Sequence, residues 1–269
     1  MKRELFAAAA IPIMVVTIGW LPPWGFLTIL GAAALLACDE YLKLARAADI
    51  VVGRWLVLIL IGSLLVASWL HGVNGLAVAA VAALVILPTV RLARPESPQG
   101  SLAGVAAECF AVLYLGATAA CLGWLRLWPE EPDGVKILFF FLACIWVGDS
   151  GAYYVGKNFG RHKMSPKISP NKTFEGLVGG VATTYVAAAA ATFVLGLDLS
   201  VVHIFALATI LAAAAPVGDL IESLFKRDSG IKDSSNLIPG HGGLLDRTDS
   251  LFYPAPLVLG YLLLTGLVG

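Results

Sequence analysis

Apolar residues run along this chain in long blocks separated by short polar or Gly/Pro breaks. Nine such blocks can be marked, at roughly 5–21, 23–40, 55–70, 75–92, 102–125, 135–155, 176–197, 201–222 and 250–268. A membrane-spanning helix needs about 20 mostly apolar residues. The blocks are rich in Ala and Leu and lack the period-2 alternation of a membrane barrel. The pattern therefore predicts an all-α, polytopic integral membrane protein with about nine transmembrane helices. Two ends are ambiguous. The block after Met1-Lys2-Arg3 looks like a signal peptide but is long enough to span, and is read as a retained first helix. The second block closes on Cys38-Asp39-Glu40, which leaves its inner end uncertain.

Composition agrees. The apolar set is 59% of the chain, charged residues are 13%, and mean hydropathy is +0.85. Soluble domains carry about a quarter charged residues, so a soluble globule and a disordered chain are both excluded. Lys and Arg number 18 against 18 Asp and Glu, which argues against a nucleic-acid partner. The four cysteines lie inside apolar blocks without paired spacing and read as small buried hydrophobes.

The basic residues orient the chain. With the N-terminus in the cytoplasm and strict alternation, only Arg126 and Lys136 among the 18 Lys and Arg fall outside. That distribution obeys the positive-inside rule. It places two long polar segments, about 156–175 and 223–249, on the cytoplasmic side. Residues 1–135 have bland connections and read as packing helices. Residues 136–269 carry both polar segments and read as the catalytic region.

Candidate chemistry concentrates there. Ionisable groups near spans are costly and are functional candidates. Asp149, near the inner end of its helix, has Tyr153 one turn on, with Gly148, Gly151 and Gly156 allowing close helix approach. Asp219, Glu222, Ser223 and Lys226 follow i, i+3, i+4, i+7 and line one helical face, a surface suited to metal and phosphate. Downstream, Gly240-His241-Gly242-Gly243 offers backbone N–H groups as a phosphate nest. Asp246 and Asp249, at i and i+3, can present two carboxylates to one hard cation. Lys226, Arg227, Lys232 and Arg247 supply charge for a polyphosphate. The 156–175 segment is basic enough to attract anionic headgroups. Walker, Rossmann and zincin motifs are absent.

The run from Ser223 through Lys226-Arg227, Lys232-Asp233, His241-Gly242-Gly243 and Asp246-Arg247 to Asp249 resembles the signature of the phosphatidate cytidylyltransferase (CDP-diacylglycerol synthase) family. The block from Asp149 and Tyr153 through Ser169, Lys172 and Glu175 is similar to a second block of that family. The resemblance implies transfer of a cytidylyl group from CTP to phosphatidate with Mg²⁺, at the cytoplasmic face of a bacterial-type inner membrane. It implies that Asp219 and Asp246 hold metal, with Asp249 as a weaker third. Lys226, Arg227, Lys232 and Arg247 would hold phosphates, with Asp233 in the same run and the His241–Gly243 turn close to the nucleotide. Asp149, Tyr153, Ser169, Lys172 and Glu175 would shape the lipid-headgroup side or brace it. It also implies a homodimer among membrane lipids. The alternative from another class is an ion-coupled transporter using Asp149 and Asp219 as cation sites.

Overall fold

The computed structural model describes residues 12, 14–93, 98–127, 133–231, 234–235 and 242–267. Its main elements are helices α1 (Pro23–Ala47), α2 (Arg54–Leu92), α3 (Ser101–Leu127) and α4 (Asp133–Phe159), strands β1 (Lys163–Ser165) and β2 (Ser169–Thr173), and helices α5 (Phe174–Leu195), α6 (Val201–Asp228), α7 (Leu245–Phe252) and α8 (Ala255–Leu264). Six of these, α1 to α6, are long and apolar enough to cross a membrane. The all-α membrane architecture stands. The expected nine spans are not confirmed among the described residues, where the apolar blocks are partitioned differently for three physical reasons.

First, α2 holds two of the expected blocks in one element of 39 residues. A straight helix of that length would run about 58 Å, nearly twice the hydrocarbon core. The chain instead bends at Gly72, whose φ of 61° is open to glycine at little cost. The bend brings Gly75 back against Ala67, so close that a Cβ on Gly75 would lie 2.0 Å from the Ala67 carbonyl oxygen. Second, the last block is not one helix. Tyr253 and Pro254 interrupt it, and α8 has only ten residues. A proline cannot continue a helix with an N–H it lacks. Third, about half of the first block lies outside the described residues; its described part is helical over 14–19.

The chain packs as two compact units. The first comprises the described residues within 12–17, 21–124 and 225–248. Val57, Ile61, Leu64 and Leu65 of α2 are buried there, with Ala34, Leu42 and Leu44 of α1. The second comprises 125–224 and 249–269, with 18–20. Its tightest seam joins α4 to α5. Gly148 and Gly151 on α4 face Thr184 and Thr183 of α5, while Gly179 and Gly180 on α5 face Val155 and Ala152 of α4. A Cβ on Gly179 would come 2.5 Å from the Val155 Cβ, so these helices meet backbone to backbone. The expected polar segment at 156–175 is mostly ordered structure: α4 continues to Phe159, and β1 pairs antiparallel with β2, Lys163 opposite Thr173. The Thr173 Oγ1 then accepts from the Gly176 amide (3.1 Å) and caps α5. All four cysteines are free thiols, three of them buried.

Candidate active site

Two polar clusters carry the residues singled out in the sequence, one in each unit. In the second unit, β2 and the C-terminal parts of α4 and α6 border a cleft of about 770 Å³. Its walls include Asp149, Tyr153, Lys157, Lys163, Lys172 and Asp219. This is the size of a small-molecule pocket, with three ammonium groups against two carboxylates. Lys172 Nζ lies 2.8 Å from Asp219 Oδ2 and donates to the Pro216 carbonyl at 3.3 Å. The Ser223 hydroxyl donates to Asp219 Oδ1 at 3.4 Å, the i, i+4 contact that the sequence stripe predicts. Glu222, on the same stripe, is buried. Tyr153 is exposed, with the Lys157 ammonium 5.8 Å from its ring centroid.

Glu175 does not line this cleft. It accepts from the backbone amides of Arg161 (3.0 Å) and His162, and pairs with His162 Nδ1, tying the start of the hairpin to the first turn of α5. Ser169 opens β2 opposite Ser165 and is likewise away from the cleft wall. Glu175 therefore braces the hairpin that carries Lys172.

In the first unit, the cluster centres on Asp246, whose side chain is 7% exposed. Oδ1 pairs with Lys226 Nζ at 2.5 Å. Oδ2 accepts from the amides of Ser234 (3.1 Å) and Gly243 (2.8 Å) and from the Ser234 hydroxyl (2.7 Å). Of the glycine turn, Gly242 has φ 79°, and its neighbour's amide is directed at Asp246. The Gly243 N–H, expected as part of a phosphate nest, thus serves a carboxylate in the same segment. Lys232, Asp233 and His241 lie outside the described residues. Arg227 and Arg247 are exposed. Asp249, which belongs to the other unit, accepts from the Ser250 amide (2.6 Å), and its carbonyl packs against Gly218.

Among the described residues no three His, Cys, Asp or Glu converge as a metal cage. The donor chemistry still fits Mg²⁺, which usually takes one or two carboxylates and completes its shell with water and substrate phosphate. Asp219 and Asp246 are hard oxygen donors, each beside a lysine. Asn171 and Glu40 escaped the sequence reading. Asn171, like Lys157 and Lys163, lines the cleft. Glu40 stood only at an uncertain helix end, although a carboxylate closing an apolar run is itself a signal.

The chain matches the cytidylyltransferase family over residues 1–265. It is 37% identical to the phosphatidate cytidylyltransferases of Staphylococcus haemolyticus and Staphylococcus aureus over 154 residues, 57% of this chain and 57% of each relative. It is 30% identical to the phosphatidate cytidylyltransferase of Bacillus subtilis over 265 residues, 95% of both chains. The match thus spans little more than half the length of the staphylococcal relatives and nearly all of the Bacillus one.

Proposed function

This chain belongs to the cytidylyltransferase family, and from that premise we propose that it transfers the cytidylyl group of CTP to phosphatidate, giving CDP-diacylglycerol and pyrophosphate for phospholipid synthesis. The observation that carries the reading is the cleft of the second unit. Lys157, Lys163 and Lys172 converge there with Asp149 and Asp219. A phosphate monoester is already an anion and needs cationic seats more than a general base. No finding favours the transporter reading of Asp149 and Asp219.

The bookkeeping of bonds is simple. A phosphate oxygen of phosphatidate attacks the α-phosphorus of CTP. The bond from that phosphorus to the bridging oxygen breaks, and its electron pair leaves with pyrophosphate. No proton must move. The reaction needs in-line positioning and neutralisation of a crowded anionic centre. The carboxylates proposed for Mg²⁺, whose charge would offset that of the triphosphate, are Asp246 in the first unit and Asp219 in the second, with Asp249 as a weaker third. Lys226, Arg227, Lys232 and Arg247 would bind the triphosphate, and His241, Gly242 and Gly243 would receive the nucleotide. Asp149, Tyr153 and Lys172 receive the lipid headgroup, while Ser169 and Glu175 brace the hairpin. Residues 136–269 contain these groups, and residues 1–135 supply packing helices and a homodimer surface. The reading puts both polar segments on the cytoplasmic face of the bacterial inner membrane, where CTP is made.

The test is direct. Purified protein in detergent, given CTP, phosphatidate and Mg²⁺, should release pyrophosphate and form CDP-diacylglycerol in equal amounts. Pyrophosphate release that ignores phosphatidate, or none at all, overturns the proposal.

A further inference from the structure

One buried carboxylate takes no part in the reaction as proposed. Glu40 lies near the inner end of α1 and is 2% exposed. Its Oε1 accepts from the Ser235 hydroxyl (2.5 Å) and the Leu244 amide (3.1 Å). Its Oε2 accepts from the Leu245 amide (2.7 Å) and the Ser234 hydroxyl (3.1 Å). Leu245 opens α7, and Leu244 precedes it. Glu40 therefore does for α7 what an N-cap side chain does locally: it receives amides that have no partner inside the helix. The carboxylate comes from another helix, 204 and 205 residues away in the chain.

The same bonds reach Asp246. The Ser234 hydroxyl that touches Glu40 also touches Asp246 Oδ2, and the Ser234 amide donates to that oxygen. Gly243 fits between them because it has no side chain. A Cβ there would lie 2.0 Å from the Ser234 hydroxyl and 2.4 Å from Glu40 Oε2. Glu40, Ser234, Gly243 and Asp246 thus form one bonded unit within the first packing unit.

We infer that Glu40 is a positioning residue of the transfer reaction: it fixes Ser234, Ser235, Leu244 and Leu245 and, through them, the place of Asp246. The inference rests on the function proposed above. Glu40→Gln is the natural probe, because it keeps size and shape and turns one acceptor oxygen into a donor facing a donor. Each hydrogen bond to a charged group weighs about 10- to 150-fold in an opening equilibrium.

The experiment is hydrogen–deuterium exchange on the full chain in detergent, combined with steady-state kinetics. In Glu40→Gln, exchange at the Leu244 and Leu245 amides should rise at least about tenfold. The α5 segment 176–191 should stay as in the parent protein. The kcat should fall at least about tenfold, with the KM for phosphatidate unchanged, and Glu40→Asp should recover part of it. A purely structural role would raise exchange across both segments without this split. Parental exchange at Leu244 and Leu245, or raised exchange with parental kcat, overturns the inference. If Glu40→Gln fails to fold, Ser235→Ala is measured the same way. Raised Leu244 exchange with lowered kcat then supports the inference, and any other result overturns it. If the parent protein transfers no cytidylyl group, the proposed function fails and takes the assignment to the reaction with it. The exchange data still report separately whether Glu40 holds the segment.

Discussion

Replacing Asp246 by Asn separates the two jobs that this side chain performs. Asp246 is 7% exposed and its partner Lys226 is 11% exposed. The Asn carbonyl can still receive the donors of Ser234 and Gly243 that now meet Oδ2. Its NH₂ then faces the Lys226 ammonium, donor against donor. Breaking a buried pair by removing one partner costs about 3–5 kcal/mol. Because the three donors on the other oxygen survive, Asp246→Asn should fall at the lower end, about 3 kcal/mol. Adding Lys226→Met removes the ammonium left behind and keeps an apolar stem of similar length. The double variant should recover about 2 kcal/mol of that loss.

Activity should behave differently. If Asp246 ligates the cation, Asp246→Asn lowers kcat by several orders of magnitude, and Lys226→Met restores none of it. The assay is unfolding in mixed micelles with rising SDS fraction for the parent, both single variants and the double variant, alongside CDP-diacylglycerol formation at saturating Mg²⁺. Strictly additive stability losses would refute the ion-pair argument. Near-normal turnover in Asp246→Asn would remove the residue from the metal shell.

Two further outcomes follow from single contacts and a third from the charge distribution. Lys172→Ala takes an ammonium off Asp219 Oδ2, so the Mg²⁺ concentration for half-maximal rate should fall while kcat/KM for phosphatidate drops about 10- to 150-fold; unchanged Mg²⁺ dependence in titrations at fixed lipid would contradict it. Thr173→Ala deletes the α5 cap and should cost about 1 kcal/mol in the same unfolding assay, with loss of less than a few tenths showing that the cap is idle. Cysteine probes at Lys167 should be shielded in intact cells and accessible after permeabilisation, whereas probes in the 126–134 connection should react from outside; the reverse pattern would overturn the orientation drawn from the Lys and Arg distribution.

Local spacing made much of this molecule readable. Apolar length identifies the spanning helices, and the i, i+4 step from Asp219 to Ser223 becomes a hydrogen bond. Where the reading slipped, the cause lies in a long-range or backbone effect. The hairpin at 163–173 hides in a segment with Pro166, Pro170 and several lysines, residues that a pattern assigns to loops. It is held by Glu175 from the next helix rather than by strand propensity. The break at Tyr253 and Pro254 comes from two closely spaced prolines, Pro254 and Pro256, inside a run that is otherwise apolar enough to span. The Lys172–Asp219 pair joins residues 47 positions apart, and Glu40 meets its partners across about 200. No periodicity in one sequence encodes such contacts.

The partners of the acids sort them by role. Glu40 and Glu175 each accept from two backbone amides. Backbone donors cannot leave without local unfolding, so these carboxylates act as fixed braces. Asp219 is held differently, by the ammonium of Lys172 and a single hydroxyl at 3.4 Å. A lysine on its flexible stem can turn from a carboxylate to a phosphate when substrate arrives, at the cost of rotamer changes only. An acid whose neighbour can move in this way is suited to exchange its partner for a cation during turnover. Asp246 combines both situations: Oδ2 is fastened by backbone and Ser234, while Oδ1 meets the Lys226 ammonium. One oxygen holds the segment through backbone donors and the other meets a lysine on a flexible stem. This division within a single carboxylate is why Asp246→Asn, which preserves the fastened side, discriminates between bracing and cation binding better than Asp246→Ala, which abolishes both.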